Sequence, residues 1–176
     1  MTLTFTSDDI PEGLKRKRIL MVTNTPSLRA LHASFLRSQG FEYVFEAGSG
    51  LQALDILRVQ PIDLIIADWQ LDEMSGFNLL HTARGSVALA DVPFVMLTTK
   101  RDMHRILPSL EIGGADYLIK PFKTAQLGMK IVMTLATSDY QAPKAIREEL
   151  QIRFTPDIPL LTEEVKLMHA AKRVQS

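Results

Sequence analysis

Short apolar runs alternate with amphipathic segments along most of this chain. Five runs have the length and the apolar character of buried strands, and they begin near Ile19, Tyr43, Leu64, Pro93 and Tyr117. The segments between them repeat apolar residues every three or four positions, which is the spacing of one helix face. The alternation spans residues 18–135 and predicts five strands that are each followed by a helix.

This pattern predicts an α/β fold with three layers. A five-stranded parallel sheet is expected in the middle, with helices on both faces and right-handed crossovers. The run Leu64–Ala67 is apolar on both faces, as a central parallel strand should be. In such folds the functional groups collect at the carboxyl ends of the strands.

Three segments follow from the boundaries of the alternation. We expect a mobile N-terminal arm over residues 1–17, one domain over 18–136, and a C-terminal helical extension over 137–176. Pro143 and Thr162 are candidate start positions for two short helices in the extension. About 40 residues are too few for an ordinary winged-helix output domain.

Pro108 lies inside the segment predicted as the fourth helix of the alternation. Proline removes a helical hydrogen bond and clashes with the preceding turn. The sequence therefore predicts either a kinked fourth helix or a helix that begins late, near Pro108.

Composition and charge narrow the classes of function. The chain has no cysteine, which excludes thiol catalysis, and its formal net charge is zero. No run is long enough to span a membrane, so a cytoplasmic protein is expected. The basic run Lys15–Arg18 lacks aromatic partners, which favours a solvated strand flank over a nucleic-acid contact. The histidines lack metal-ligand spacing, so surface or helix-face roles are expected for His32, His81, His104 and His169.

Four polar residues directly follow predicted strands. Asn24 follows the first strand, Asp68 the third, Thr98 the fourth and Lys120 the fifth. Because the carboxyl ends of parallel strands meet at one edge, we expect these side chains to share a small cleft. A carboxylate can act there as a nucleophile toward a phosphoryl group, while an ammonium and a hydroxyl bind its charged oxygens.

Three separated motifs carry a resemblance to a known family. The runs Asp68–Gly76, Met96–Thr99 and Gly114–Phe122 resemble the three signatures of bacterial response-regulator receiver domains. Their spacing also suits that family, with 30 residues from Asp68 to Thr98 and 22 from Thr98 to Lys120. The resemblance covers residues 18–135 and implies the flavodoxin-like receiver fold, with strand order 2-1-3-4-5.

The resemblance also implies roles for individual residues. Asp68 would be the phosphoacceptor, Lys120 would bind the phosphoryl group, Thr98 would move toward it, and Tyr117 would swing inward behind Thr98. The movement would reshape the surface of the fourth helix, fifth strand and fifth helix of the alternation. That surface would contact a histidine kinase, a downstream signalling protein or a second copy of the chain. No catalysis on other substrates is expected.

The sequence departs from the family at the metal site. A typical receiver has two adjacent acidic residues after the first strand, where this chain has Thr23 and Asn24. Mg²⁺ favours carboxylate oxygens, and here Asp68 is the carboxylate that remains, with the Asn24 amide and the Gln70 carbonyl as weak neutral candidates. Weak Mg²⁺ binding and weak or absent phosphorylation are expected, although Asp72 or Glu73 is a possible substitute ligand.

Two hypotheses stay open for the cleft. Asp68 and Lys120 are left as a nearly neutral pair, and a direct salt bridge between them would lock one conformation. In that case the chain is a signalling module that acts through protein contacts without phosphorylation. The alternative is a conventional receiver that a histidine kinase phosphorylates at Asp68. A flavin or nucleotide site is a weaker alternative, because no glycine-rich phosphate loop follows the first strand. DNA binding by the C-terminal helices is a further alternative, which salt-sensitive binding to duplex DNA would support.

Overall fold

The strands form where the apolar runs predict them. The structure is a computed structural model that describes residues 5–140. Its five strands are β1 Arg18–Val22, β2 Tyr43–Ala47, β3 Leu64–Asp68, β4 Phe94–Thr99 and β5 Asp116–Lys120. All neighbouring strands are parallel, and their order is β2-β1-β3-β4-β5. This confirms the predicted fold class and strand order.

The helices cover both faces of the sheet. They are α1 Glu12–Lys15, α2 Pro26–Ser38, α3 Gly50–Val59, α4 Gly76–Gly85, α5 Met103–Gly113 and α6 Thr124–Tyr140. Serine side chains cap two of them, because Ser49 accepts a hydrogen bond from the backbone of Gln52 and Ser75 accepts one from Asn78. The fourth and fifth helices of the predicted alternation are therefore α5 and α6.

Two apolar clusters fill the space between the sheet and the helices. One cluster joins the sheet to α2 and α6, and it includes Ile66, Leu97 and Leu118. The other joins the sheet to α3, α4 and α5, and it includes Ala67 and Met96. Because side chains alternate along a strand, neighbouring residues of β3, β4 and β5 belong to opposite clusters.

The N-terminal segment is packed against the domain, so the expectation of a mobile arm over residues 1–17 is wrong for residues 5–17. Ile10 is 3% exposed and Leu14 is 7% exposed, and both belong to the core cluster under α2 and α6. Phe5 packs against the same cluster, and a side chain at Gly128 of α6 would overlap its ring. Apolar burial of this kind outweighs the local polar composition that suggested a free arm.

Helix α5 begins at Met103 and continues through Pro108. The alternative of a late start near Pro108 is therefore wrong, and the proline lies inside the helix. Proline has no backbone N–H, so α5 lacks one hydrogen bond to its preceding turn and is locally weakened. Pro108 is exposed, so the missing hydrogen bond lies on the side of α5 that faces water rather than the core.

The C-terminal predictions fall mostly outside the described residues. Helix α6 runs to Tyr140, four residues past the expected domain end at 136. The helix starts predicted at Pro143 and Thr162 lie beyond the described range. Between residues 5 and 140, no helix is both long and apolar enough to cross a membrane.

Candidate functional site

The carboxyl ends of β3 and β5 place the two charged residues of the cleft. Asp68 is the last residue of β3, and Lys120 is the last residue of β5 and precedes a cis peptide bond to Pro121. The chain turns back sharply after Asp68, where the Gly76 amide donates a hydrogen bond to the Trp69 carbonyl at 3.0 Å. A Cβ at position 76 would overlap the Asp68 carbonyl oxygen, so this turn requires glycine.

Asp68 and Lys120 form a direct ion pair. The Lys120 Nζ atom lies 2.5 Å from Oδ1 of Asp68. The Asp68 residue is 4% exposed, whereas a third of the Lys120 side chain is exposed. Apart from this ion pair, Asp68 Oδ1 has no hydrogen-bond partner within residues 5–140. Charge attraction between the nearly buried carboxylate and the lysine therefore holds the pair.

Thr98 and Tyr117 lie close by in the sheet but on its other face. Thr98 has the same strand phase as Met96, and Tyr117 packs against the cluster under α5. Thr98 is 2% exposed, and its hydroxyl has no hydrogen-bond partner in the described part of the chain. The charged pair therefore lies on one face of the sheet, and a buried hydroxyl without a hydrogen-bond partner lies on the other face, near the end of the strand between them.

The end of β1 is poorly suited to a divalent cation. Val22 pairs with Ala67, so Thr23 and Asp68 leave the sheet at neighbouring strand ends. Thr23 is 1% exposed and neutral, and Asn24 is half-buried. The Thr23 carbonyl accepts a hydrogen bond from the Arg29 guanidinium at 2.6 Å, which brings a positive charge to this strand end. The neutral Thr23 and Asn24 supply no carboxylate, and a nearby cation repels Mg²⁺, so this strand end offers a poor donor set for a divalent cation.

The other ligand candidates named from the sequence lie in the segment after β3. Gln70, Asp72 and Glu73 are all exposed, and Glu73 has a left-handed backbone with φ of 65°. Among the residues described, no group of three or more acidic or histidine side chains is arranged to hold a metal ion.

His32 is a site neighbour that the sequence did not reveal. We expected a surface or helix-face position, but His32 is 7% exposed, and its ring lies 5.4 Å from that of Phe122 between α2 and the β5–α6 turn. Burial lowers the pKa of His32, while Asp68 acts to raise it and Lys120 to lower it. Its Nδ1 atom has no hydrogen-bond partner within the described range. The helical period predicts the inward face of α2, but it cannot show that this face points at the cleft.

The family follows from a match over most of the chain. The family model described as the response regulator receiver domain matches residues 19–132. The chain belongs to this family. The resemblance drawn from the three sequence motifs is thereby confirmed.

Relatives and solved structures agree with this assignment. This receiver is 32% identical over 117 residues to chemotaxis protein CheY-3 of Vibrio cholerae serotype O1, which covers 66% of this chain and 90% of that protein. It is 33% identical over 156 residues to the DNA-binding response regulator MtrA of Mycolicibacterium smegmatis, covering 80% and 67% respectively. The structure of the chemotaxis response regulator CheY4 of Vibrio cholerae superposes with a TM-score of 0.60 at 27% identity, covering 66% of this chain and 98% of that one.

Membership sets the general function. The chain is a receiver domain of the type found in two-component response regulators. Such domains are typically signalling modules that interact with histidine kinases and downstream proteins, and they generally bind Mg²⁺ at the phosphorylation site.

Proposed function

We propose that this receiver signals through protein contacts and that its Mg²⁺-dependent phosphorylation is weak or absent. The observation that carries the proposal is the 2.5 Å ion pair between Asp68 and Lys120 in a cleft whose β1 end offers Thr23 and Asn24. In this proposal Asp68 is a structural anion that holds the ends of β3 and β5 together. Asp68 remains the candidate phosphoacceptor in the alternative, with Lys120, Thr98 and Tyr117 in the roles that the family implies.

The charges in the cleft support this proposal. A phosphoryl group brings about two negative charges, and receivers use a bound metal to offset them during transfer. The positions after β1 carry the neutral Thr23 and Asn24, and the Arg29 guanidinium that donates to the Thr23 carbonyl adds a positive charge near this strand end. Asn24, Asp68 and the Gln70 carbonyl offer a single formal charge, so they would hold Mg²⁺ only weakly.

The ion pair also supports a single preferred arrangement. Separating the pair leaves the Asp68 carboxylate charged in a site that is almost closed to water. Breaking such a pair costs far more than a surface salt bridge does. A partner therefore meets one populated form of the cleft, and signalling depends on which surface that form presents.

Treatment with acetyl phosphate and Mg²⁺ tests the proposal by intact-protein mass spectrometry. We expect no mass gain for the natural chain. The matched control is the double variant Thr23→Asp/Asn24→Asp, which restores the acidic pair and should gain one phosphoryl group. Adding Asp68→Asn to that variant should abolish the gain. A phosphoryl gain on the natural chain that disappears with Asp68→Asn would favour the conventional alternative.

We propose that the partner surface is the face formed by α5, β5 and α6. β5 is the edge strand of the sheet on this side, so its outer edge carries no neighbouring strand among the described residues. A kinase, a downstream protein or a second copy of the chain would contact this face. The proposed partners are proteins in the cytoplasm, not nucleic acid or a membrane.

Sedimentation velocity across a concentration series tests whether a second copy binds. A concentration-dependent dimer that a charged substitution on α6 removes would support this partner.

A further inference from the structure

Lys130 of α6 is an unusual lysine because it is almost fully buried. It is 8% exposed, whereas lysines are rarely buried in proteins unless their charge has a partner. Burial acts to lower the pKa of Lys130, and the nearby Asp116 carboxylate acts to raise it. The groups that surround Lys130 account for its burial.

The ammonium of Lys130 lies over an aromatic ring. Its Nζ atom is 5.9 Å from the centroid of the Tyr117 ring, within the range of a cation–π contact. Helix α6 packs on the face shared with α2, whereas Tyr117 packs against the cluster under α5. Because β5 is the edge strand, the Lys130 side chain reaches past that edge to the other face.

A second contact holds this part of α6 against β5. The Thr134 hydroxyl donates a hydrogen bond to Oδ2 of Asp116 at 2.9 Å. Lys130 and Thr134 are four residues apart and so lie on one side of the helix. Asp116 and Tyr117 are consecutive residues of β5, so two side chains one turn apart on α6 contact two consecutive residues of the strand. The orientation of α6 and the position of the ring are thereby linked.

We propose that Lys130 is a positioning residue that holds the Tyr117 ring in its partly buried position at the α5–β5–α6 face. This role rests on the proposed function and on the family role of Tyr117 as the aromatic residue that moves inward behind Thr98. The Tyr117 ring contacts the Lys130 ammonium only while it occupies this position. Loss of the ammonium therefore shifts the ring toward solvent. Lys130 thus sets the shape of the face that a partner meets.

Fluorine NMR of protein labelled with 3-fluorotyrosine measures the ring position directly. The Tyr117 signal is assigned by its loss in Tyr117→Phe. We expect Lys130→Met, which keeps the buried apolar stem, to move this signal toward that of free 3-fluorotyrosine. Lys130→Arg retains a cation and should keep the signal near its natural position. Lys123→Met removes an exposed lysine just before α6 and should leave the signal unchanged.

Amine acylation read by mass spectrometry gives a second test that does not depend on folding of Lys130→Met. Lys130 should be acylated far more slowly than Lys123 in the natural chain, and Tyr117→Leu should raise the Lys130 rate several-fold. An unmoved Tyr117 signal in folded Lys130→Met, or an unchanged Lys130 rate in Tyr117→Leu, would overturn the inference. Both measurements use protein without a phosphoryl group. A phosphoryl gain at Asp68 would therefore refute the proposed function while leaving the Lys130 result intact.

Discussion

The Lys120 ammonium contacts the Asp68 carboxylate at 2.5 Å even though β4 separates the strands that carry them. The contact spans two strand spacings because both residues are the last of their strands and share one face of the sheet. Lys120 thus reaches across the end of β4 to Asp68. The two residues therefore join the centre of the sheet to its edge.

The two halves of this ion pair should differ in their effect on stability. Lys120→Met leaves an almost fully buried carboxylate without a counter-charge, and we expect a loss of about 2 kcal/mol in the free energy of unfolding. Asp68→Asn leaves a lysine that is one-third exposed and can be hydrated, so we expect a smaller loss of about 1 kcal/mol in the free energy of unfolding. Urea denaturation of both variants measures the difference. The double variant should recover part of the Lys120→Met loss, and simple addition of the two losses would contradict a direct pair.

Asn24→Asp should create measurable Mg²⁺ affinity. The substitution adds a second carboxylate at the strand end beside Asp68, and hard cations favour carboxylate oxygens. Trp69 is the single tryptophan and adjoins Asp68, so its fluorescence reports binding. We expect the Mg²⁺ affinity of the variant to be at least about tenfold higher than that of the natural chain. The charge-matched control Asn78→Asp, on an exposed position of α4, should give no such increase. Equal affinities in both variants would show that net charge, not position, governs binding.

Gly76→Ala should destabilise the protein strongly. An added Cβ would overlap the Asp68 carbonyl oxygen, a backbone atom that cannot move aside cheaply. We expect a loss of about 2–3 kcal/mol, the upper range for single substitutions. Gly85→Ala at the end of the same helix meets no atom within 4 Å and should change stability by less than about 1 kcal/mol. Thermal melting of both variants gives the comparison, and similar melting temperatures would refute the tight turn.

His32 should make stability depend on pH below neutrality. Burial holds its pKa below the ordinary value of 6.5, so the folded state favours the neutral ring. The stabilisation is complete above pH 6.5 and is lost as the pH falls toward the folded pKa, because the unfolded state then binds the extra proton. The free energy of unfolding should fall between pH 7 and 5, and His32→Leu should flatten this fall. His81→Gln, on an exposed position of α4, should leave the slope unchanged; a slope that depends on His81 instead would be the contrary result.

The sheet was predictable from the chain because each strand is a short, isolated apolar run. The fully buried β3 shows the strongest such run, and its carboxyl end carries Asp68 where expected. The shared cleft of Asp68 and Lys120 was equally predictable, since strand ends meet by topology. These features depend on local patterns and on one general rule of parallel sheets.

Contacts that depend on side-chain direction were not predictable. His32, Arg29 and Lys130 occupy ordinary helical positions in the sequence, and only the packing of α2 and α6 brings them to the cleft or to Tyr117. The packing of the N-terminal segment was not predictable for a similar reason. Its polar residues dominate the composition, while two apolar side chains, Ile10 and Leu14, determine where it lies.

The buried positions of Ile10 and Leu14 extend the cooperative folding unit upstream of the family match, which starts at residue 19. A truncated protein that starts at β1 would uncover apolar side chains on α2 and α6. Uncovered patches of that kind promote self-association. Binding experiments on a fragment trimmed to residues 19–132 would then measure self-association that the trimming itself causes, and fusion or swap designs should keep the upstream segment attached.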